Sequence, residues 1–134
     1  MIRISQGIYD DLVAHAREGF PLEVCGILGG NDVDVTIVYR MTNTDASNEH
    51  FMMDPKEQFS VVKELRAQGL SMLAIYHSHP ESPARPSEED IRLALTPQVS
   101  YVIISLSDSV QPDMKSYKIE NGAVSTEPIQ IIKY

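Results

Sequence analysis

Two histidines separated by one residue, His77 and His79, are the side chains in this sequence best suited to hold a metal ion together. In an extended segment, side chains two residues apart point to the same face, so both imidazoles can approach one ion. Catalytic zinc usually has three protein ligands and one position for water. Two exposed loop histidines would give the same short motif, and the pair alone does not decide between these interpretations.

A third ligand can come from Asp90, in the segment Ser87-Glu88-Glu89-Asp90. The spacing of Ser87 and Asp90 is close to that of a capping box, which by itself explains both residues as a helix start. A side chain in a first helical turn also faces what lies beyond the helix end, so Asp90 can join the histidines if the intervening loop folds back. Three prolines stiffen that loop and lower the entropy of this geometry: Pro80, Pro83 and Pro86.

A site of two histidines and one carboxylate also needs a general base. Zinc in such a site lowers the pKa of water to about 7 and polarises a substrate carbonyl. Glu23 is the candidate base, because it directly precedes the apolar run Val24–Leu28 and can be fixed at the end of a buried strand. The alternative is a surface acid in a loop after Pro21.

Three segments have the start and stop signals of helices: 6–18 after a Ser5 cap, a second helix ending at Gly69, and about 88–95. The second helix has the strongest start, with Asp54 as N-cap, Pro55 in the first position and Glu57 completing a capping box. Three residues predict its apolar face: Phe59, Val62 and Leu65.

The remaining apolar patterns predict strands. Continuous runs at 24–28, 72–76 and 102–104 indicate buried strands, and the alternation over 33–39 follows a predicted turn at 29–32. Asn121-Gly122 predicts a hairpin between strands at 114–119 and 123–132. Strands interleaved with helices predict an α/β fold with a central mixed sheet flanked by helices.

Composition restricts the class of protein. The 134 residues predict one domain, 1–134, and 43% hydrophobic residues are enough for a buried core. Eleven basic and nineteen acidic residues give 11 − 19 = −8, which argues against nucleic acid as the main partner. One cysteine excludes an internal disulfide, and neither a signal peptide nor a membrane span is evident, so we expect a cytoplasmic protein without a membrane partner.

The combined pattern resembles the JAMM metalloproteases, also called the MPN+ or JAB1/MPN/Mov34 domain. It consists of Glu23, then His77-x-His79, seven residues, Ser87, two residues and Asp90. The segments 21–29 (PLEVCGILG) and 76–80 (YHSHP) strengthen the match, which covers about residues 1–120. The resemblance implies a cytidine-deaminase-like fold, one Zn²⁺ on His77, His79 and Asp90, Glu23 as general base, and Ser87 as an oxyanion-stabilising residue.

The family resemblance also implies a substrate class. Members hydrolyse amide or isopeptide bonds, typically after the C-terminal Gly-Gly of ubiquitin or a ubiquitin-like protein. This short chain is most similar to small prokaryotic members that process sulfur-carrier proteins, for instance by releasing cysteine. We predict that the Gly-Gly tail binds near residues 33–40 and 41–53. The sequence leaves the oligomeric state open, a homodimer included.

Two other functions share parts of the pattern. RadC-like proteins have a similar His-x-His-Pro segment, but they usually lack the Glu-x-Cys-Gly strand, and the negative charge disfavours DNA. A non-catalytic MPN scaffold is the other alternative, although such domains have lost ligands that this chain keeps. Zinc deaminases are excluded, because they need two ligand cysteines and this chain has only Cys25. We expect Cys25 to be a small buried core residue.

Overall fold

Eight strands form one mixed sheet in the computed structural model, which describes residues 1–108 and 110–133. The strand order is β7-β6-β5-β4-β2-β3-β1-β8. The elements follow the chain as β1 (Ile2–Ser5), α1 (Gln6–Gly19), β2 (Cys25–Asn31), β3 (Asp34–Met41), α2 (Pro55–Ala67), β4 (Ser71–His79), α3 (Glu88–Arg92), β5 (Ser100–Ser105), β6 (Asp113–Glu120), β7 (Ala123–Glu127) and β8 (Ile129–Ile132). The predicted mixed sheet with flanking helices is confirmed.

The three predicted apolar runs form the neighbouring strands β2, β4 and β5 in the middle of the sheet. β4 pairs antiparallel with β2 and parallel with β5. All six residues of β5 and six of the seven residues of β2 are buried. Strands covered on both faces are apolar throughout, which is why these runs show no alternation.

The predicted turn at 29–32 is wrong, because Gly29 and Gly30 belong to β2 and the turn follows at Asp32. A Cβ atom on Gly29 would collide with the side chain of Leu65, and one on Gly30 would collide with the backbone of Asp34. These glycines are therefore required for close packing inside the strand rather than for turning the chain.

Two features of the second helix also differ from prediction. Asp54 caps α2 as predicted, but Glu57 does not complete a capping box, since its carboxylate accepts hydrogen bonds from N and Oγ1 of Thr42 at 2.8 and 2.7 Å. Phe59 is 71% exposed, whereas Val61 and Leu65 are buried against β2 and β3. The side chains that α2 packs against the sheet therefore differ in part from those that the periodicity indicated. The third helix, α3, ends at Arg92 rather than near residue 95.

The C-terminal segment joins the two ends of the strand order. The predicted strand 123–132 is divided at Pro128, so that β7 pairs with β6 and β8 pairs with β1. Proline has no N–H to donate, but its carbonyl oxygen accepts a hydrogen bond from N of Ile2 at 3.0 Å. Helix α1 packs against the sheet and buries Leu12, Val13 and Ala16. No helix of residues 1–108 and 110–133 has the length and apolarity needed to cross a bilayer.

Candidate metal centre and active site

The structure brings His77, His79 and Asp90 together. The two histidine Nε2 atoms lie 3.1 Å apart, and Asp90 Oδ2 lies 3.2 Å from His77 Nε2 and 3.0 Å from His79 Nε2. Ligands about 2.0–2.1 Å from a tetrahedral zinc ion lie about 3.3 Å from one another, so the three atoms have nearly the separation that one ion requires. His77 and His79 are only 2% and 4% exposed, which excludes two exposed loop histidines.

The end of β4 fixes the direction of both imidazoles. Ser78, between them, points to the other face, where its Oγ accepts a hydrogen bond from N of Val24 at 2.9 Å. His79 Nδ1 lies 2.8 Å from the carbonyl oxygen of Pro83, a contact that leaves Nε2 directed at the centre of the cluster. A backbone acceptor on the second nitrogen is the common support for a metal-binding histidine.

His77 is supported by an aromatic ring instead. Its Nδ1 is buried and has no hydrogen-bond partner among the described residues, while the ring of Phe51 stacks on the imidazole with centroids 4.4 Å apart and planes at 22°. Burial lowers the pKa of His77, so the imidazole is held neutral. A neutral imidazole is the form that binds metal.

Asp90 has the role of a helix cap as well as that of a candidate ligand. The capping box is complete, with Ser87 Oγ accepting from N of Asp90 at 3.0 Å and Asp90 Oδ2 accepting from N of Ser87 at 2.9 Å. Burial alone would raise the pKa of Asp90, but hydrogen bonds from His77, His79 and Ser87 outweigh it and hold that pKa well below its ordinary value. The capping-box interpretation of the segment 87–90 is therefore confirmed, and it leaves Asp90 Oδ2 placed beside both histidines, as the predicted ligand role requires.

Glu23 is buried beside this cluster, at 5% exposure. Its Oε1 atom has no hydrogen-bond partner among the described residues. Burial raises the pKa of Glu23 to about 8, and the nearby charge of His79 opposes this rise only in part. A buried carboxyl group that exchanges a proton near neutral pH has the properties of a general acid–base.

Asn43 organises the loop 42–54 around Glu23, and sequence reasoning missed it. Its Nδ2 donates to the carbonyl oxygens of Glu23 and His50 at 3.0 and 2.9 Å, and its Oδ1 accepts from N of Asp45 and N of Met52, both at 3.0 Å. A polar loop rich in Asn, Asp and Ser gave no spacing signal that separates this residue from its neighbours.

A cavity of about 310 Å³ opens between the loop 42–54 and the loop after β4. It joins the candidate base, one candidate ligand and the candidate oxyanion residue on one surface, and seven residues line it: Glu23, Asn48, Glu49, His79, Glu81, Ser82 and Ser87. An amide bond in this cavity can therefore lie close to Glu23 and to the cluster of His77, His79 and Asp90 at the same time.

Cys25 lies in the core and does not belong to the cluster of His77, His79 and Asp90. Its Sγ is 3.7 Å from the carbonyl oxygen of Thr42, and burial together with the charge of Glu57 raises the pKa of the thiol to about 12. The group of residues that can share one ion contains His77, His79 and Asp90. This placement agrees with the expected packing role of Cys25.

Residues 5–120 match the family described as prokaryotic homologs of the JAB domain. The chain belongs to this family. Among its relatives, the CysO-cysteine peptidase of Mycobacterium bovis is 33% identical over 132 residues, which cover 97% of this chain and 90% of the relative. The probable TtuB-protein conjugate cleaving protease of Thermus thermophilus is 36% identical over 104 residues, covering 77% of this chain and 69% of the relative.

Solved structures show the same architecture for this JAB family member. Protein DSY2949 from Desulfitobacterium hafniense has a TM-score of 0.90 and 45% identity, covering 100% of this chain and 94% of that one. AF2198, a JAB1/MPN domain protein from Archaeoglobus fulgidus, has a TM-score of 0.66 and 19% identity over 98% and 97% of the two chains, which shows a common fold. The predicted family, its JAB/MPN fold and a JAMM-type peptidase as the enzyme class are confirmed.

Proposed function

We propose that this protein is a zinc-dependent peptidase that hydrolyses the amide or isopeptide bond after the C-terminal Gly-Gly of a ubiquitin-like or sulfur-carrier protein. One observation carries the proposal. Three candidate ligand atoms converge within 3.0–3.2 Å of one another, and the cavity beside them is lined by a buried carboxyl group, Glu23, whose Oε1 has no partner in the part of the chain that the structure describes. That arrangement supports hydrolysis more than it supports a scaffold role, which needs no such carboxyl group.

One zinc ion would be held by His77 Nε2, His79 Nε2 and Asp90 Oδ2. When bound, zinc polarises a substrate carbonyl and lowers the pKa of water in the site. His77 and His79 supply neutral donors, and Asp90 supplies one negative charge. The set of two imidazoles and one carboxylate is typical of a catalytic zinc site with a position left for water.

Glu23 and Ser87 would carry the proton transfer and stabilise the developing charge. Glu23 accepts a proton from the attacking water and later gives it to the leaving amine, which needs a carboxyl group whose pKa is near the working pH. Burial raises the pKa of Glu23 above its ordinary value, and the charge of a zinc ion bound beside it would lower that pKa again, so the carboxyl group could both take up and release a proton. Ser87 Oγ already accepts a hydrogen bond from N of Asp90, so its own O–H remains free to donate to the carbonyl oxygen of the substrate.

The Gly-Gly tail would bind in extended form along β3 and the loop 42–54. β1 meets β3 only at Asp34, so among the described residues the later part of β3 pairs with β2 alone. An extended peptide can add to such an edge through backbone hydrogen bonds. The names of both relatives, a CysO-cysteine peptidase and a TtuB-protein conjugate cleaving protease, support a small carrier protein as substrate. The single thiol agrees with action in the cytoplasm, where disulfides are rare.

The proposed activity is tested with carriers whose C-terminal glycine is joined to cysteine or to the ε-amine of lysine. CysO and TtuB are suitable carriers. We expect the zinc-loaded protein to release both the carrier and the amine, as followed by mass spectrometry, and the Glu23→Gln variant to retain zinc without releasing either. Glu64→Gln removes the same charge from an exposed position on α2 and should leave the activity unchanged. Intact adducts after incubation with the zinc-loaded protein, across all carriers, would overturn the proposal.

A further inference from the structure

We propose that the cavity beside Glu23 binds the amine side of the scissile bond and selects cationic leaving groups. The preferred substrate would then be a carrier joined to a lysine in a basic stretch of another protein, rather than a carrier joined to a free amino acid. This inference rests on the proposed function, and it adds the class of the group that is released.

The position of Glu23 identifies the cavity as the leaving-group side. A residue that returns a proton to the departing amine must lie within hydrogen-bond reach of the amine nitrogen. Only 5% of Glu23 is exposed, and its side chain lines this cavity. The Oε1 atom of that side chain has no hydrogen-bond partner among the described residues. The leaving amine must therefore occupy the cavity that Glu23 lines.

The charge of the cavity then determines which chemical group attached to the leaving amine is favoured there. Glu49 and Glu81 stand on its two sides, one on the loop 42–54 and one directly after His79-Pro80. No lysine or arginine is among the described residues that line it. Arg17 lines a neighbouring cavity, to which Glu81 also belongs.

A free amino acid carries its α-carboxylate two bonds from the amide nitrogen. In this cavity that carboxylate would face two like charges, Glu49 and Glu81, and the lining supplies no lysine or arginine to pair with it, so that only an ion held by His77, His79 and Asp90 would offset the repulsion. A lysine in a polypeptide has no such carboxylate, and neighbouring lysine or arginine side chains would meet the two glutamates. The acidic lining therefore favours a basic protein segment as the released group.

A charge series tests this preference directly. The TtuB carrier is joined through its terminal glycine to the central lysine ε-amine of three peptides: acetyl-Lys-Lys-Lys-amide, acetyl-Ala-Lys-Ala-amide and acetyl-Glu-Lys-Glu-amide. A fourth adduct carries free cysteine and a fifth carries cysteine amide. Exposed charge pairs each change affinity by about two- to fivefold. We expect kcat/KM to fall by about tenfold from the Lys-Lys-Lys to the Glu-Lys-Glu adduct, and cysteine amide to exceed free cysteine.

Neutralising the lining should remove the preference. The double variant Glu49→Gln/Glu81→Gln is expected to reduce the tenfold range to about twofold, and 0.5 M NaCl should reduce it similarly because exposed charges are screened. The double variant Glu64→Gln/Glu120→Gln removes two exposed charges on α2 and β6 and should keep the full range. Arg17→Gln should not reduce the cleavage of the free cysteine adduct.

A binding measurement separates this inference from the proposed activity. In the metal-free protein, acetyl-Lys-Lys-Lys-amide should shift the backbone amide resonances of Asn48, Glu49, Glu81 and Ser82, and the Glu49→Gln/Glu81→Gln variant should weaken that binding by about tenfold. Adducts cleaved at equal rates across the series, or a preference for free cysteine that Arg17→Gln removes, would overturn the inference alone. If no adduct is cleaved, the proposed function fails, and unchanged resonances in the peptide titration then overturn the inference as well.

Discussion

The His77–His79–Asp90 cluster and the Glu23 region lie side by side at the ends of the central strands β4 and β2, but their polar groups are held in opposite ways. In the cluster, Asp90 Oδ2 has three contacts within 3.2 Å, from His77, His79 and N of Ser87. The backbone of Glu23 is held by Ser47 and Asn43, yet its Oε1 has no hydrogen-bond partner among the described residues.

This difference separates two chemical requirements. A metal site needs its charge state fixed, and the contacts of Asp90 hold its pKa well below the ordinary value. A general base must take up a proton and release it again, and burial without a hydrogen-bond partner among the described residues raises the pKa of Glu23 to about 8. Hydrogen bonds to Asp90 meet the first requirement, and the burial of Glu23 Oε1 without a partner among the described residues meets the second.

Replacing Glu23 most clearly separates the effect on activity from the effect on zinc binding. For Glu23→Gln we expect kcat to fall by about 10²–10⁴-fold, the range for removal of a general base. The zinc affinity should stay within a few fold, because the cluster atoms are unchanged. Steady-state kinetics and zinc titration check both expectations, and a variant that loses zinc would show that the two regions are not separate.

Replacing a candidate ligand should instead lower the zinc affinity. Asp90→Ala removes one of three donors and one half of the capping box, so we expect zinc affinity to fall by at least about 100-fold, more than the loss typical of an outer residue. Competition with a chelating dye measures this affinity. Ser87→Ala serves as the control, since it also weakens the helix cap but keeps all three ligand atoms.

The pH dependence of stability should report the buried proton on Glu23. Its pKa in the folded protein, about 8, lies above the ordinary 4.5, so the folded state keeps a proton that the unfolded state has lost. Stability should therefore fall as the pH rises from about 4.5 to about 8. In the metal-free protein, we expect Glu23→Gln to be more stable than the parent at pH 9 by on the order of 5 kcal/mol. Urea unfolding at pH 5 and pH 9 tests this, and equal differences at both values would contradict it.

Phe51 links the loop 42–54 to the cluster, and its removal should have a smaller effect. Phe51 is stacked on His77, whose Nδ1 has no hydrogen-bond partner within residues 1–108 and 110–133, so Phe51→Ala should lower zinc affinity by about tenfold, as for other groups that orient ligands. Phe59→Ala is the matched control, since that ring is 71% exposed on α2. Equal zinc affinities of the two variants would exclude an orienting role for the stacked ring.

The smallest effect on activity is expected for Cys25→Ala. Because the thiol lies in the core, the variant should lose about 1–2 kcal/mol of stability and keep its activity within about twofold. Thermal unfolding and the carrier cleavage assay measure the two quantities. A large loss of bound zinc would place the sulfur in the metal site instead.

Local sequence signals were sufficient for the cluster and for most of the sheet. The i, i+2 spacing of His77 and His79 and the Ser87–Asp90 cap are local patterns, and the structure uses both. The β3 to α2 connection was beyond such signals, because Asn43 acts through bonds to residues up to 20 positions away. Phe59 and Gly30 were misassigned because burial depends on which elements meet, and periodicity alone does not specify that.

X-ray absorption at the zinc edge of the purified, zinc-loaded protein shows whether His77, His79 and Asp90 hold the ion. We expect one zinc per chain with nitrogen and oxygen ligands at about 2.0–2.1 Å, two of them imidazoles, and loss of one imidazole in His77→Ala. A sulfur ligand at about 2.3 Å, or a spectrum unchanged by His77→Ala, would contradict it.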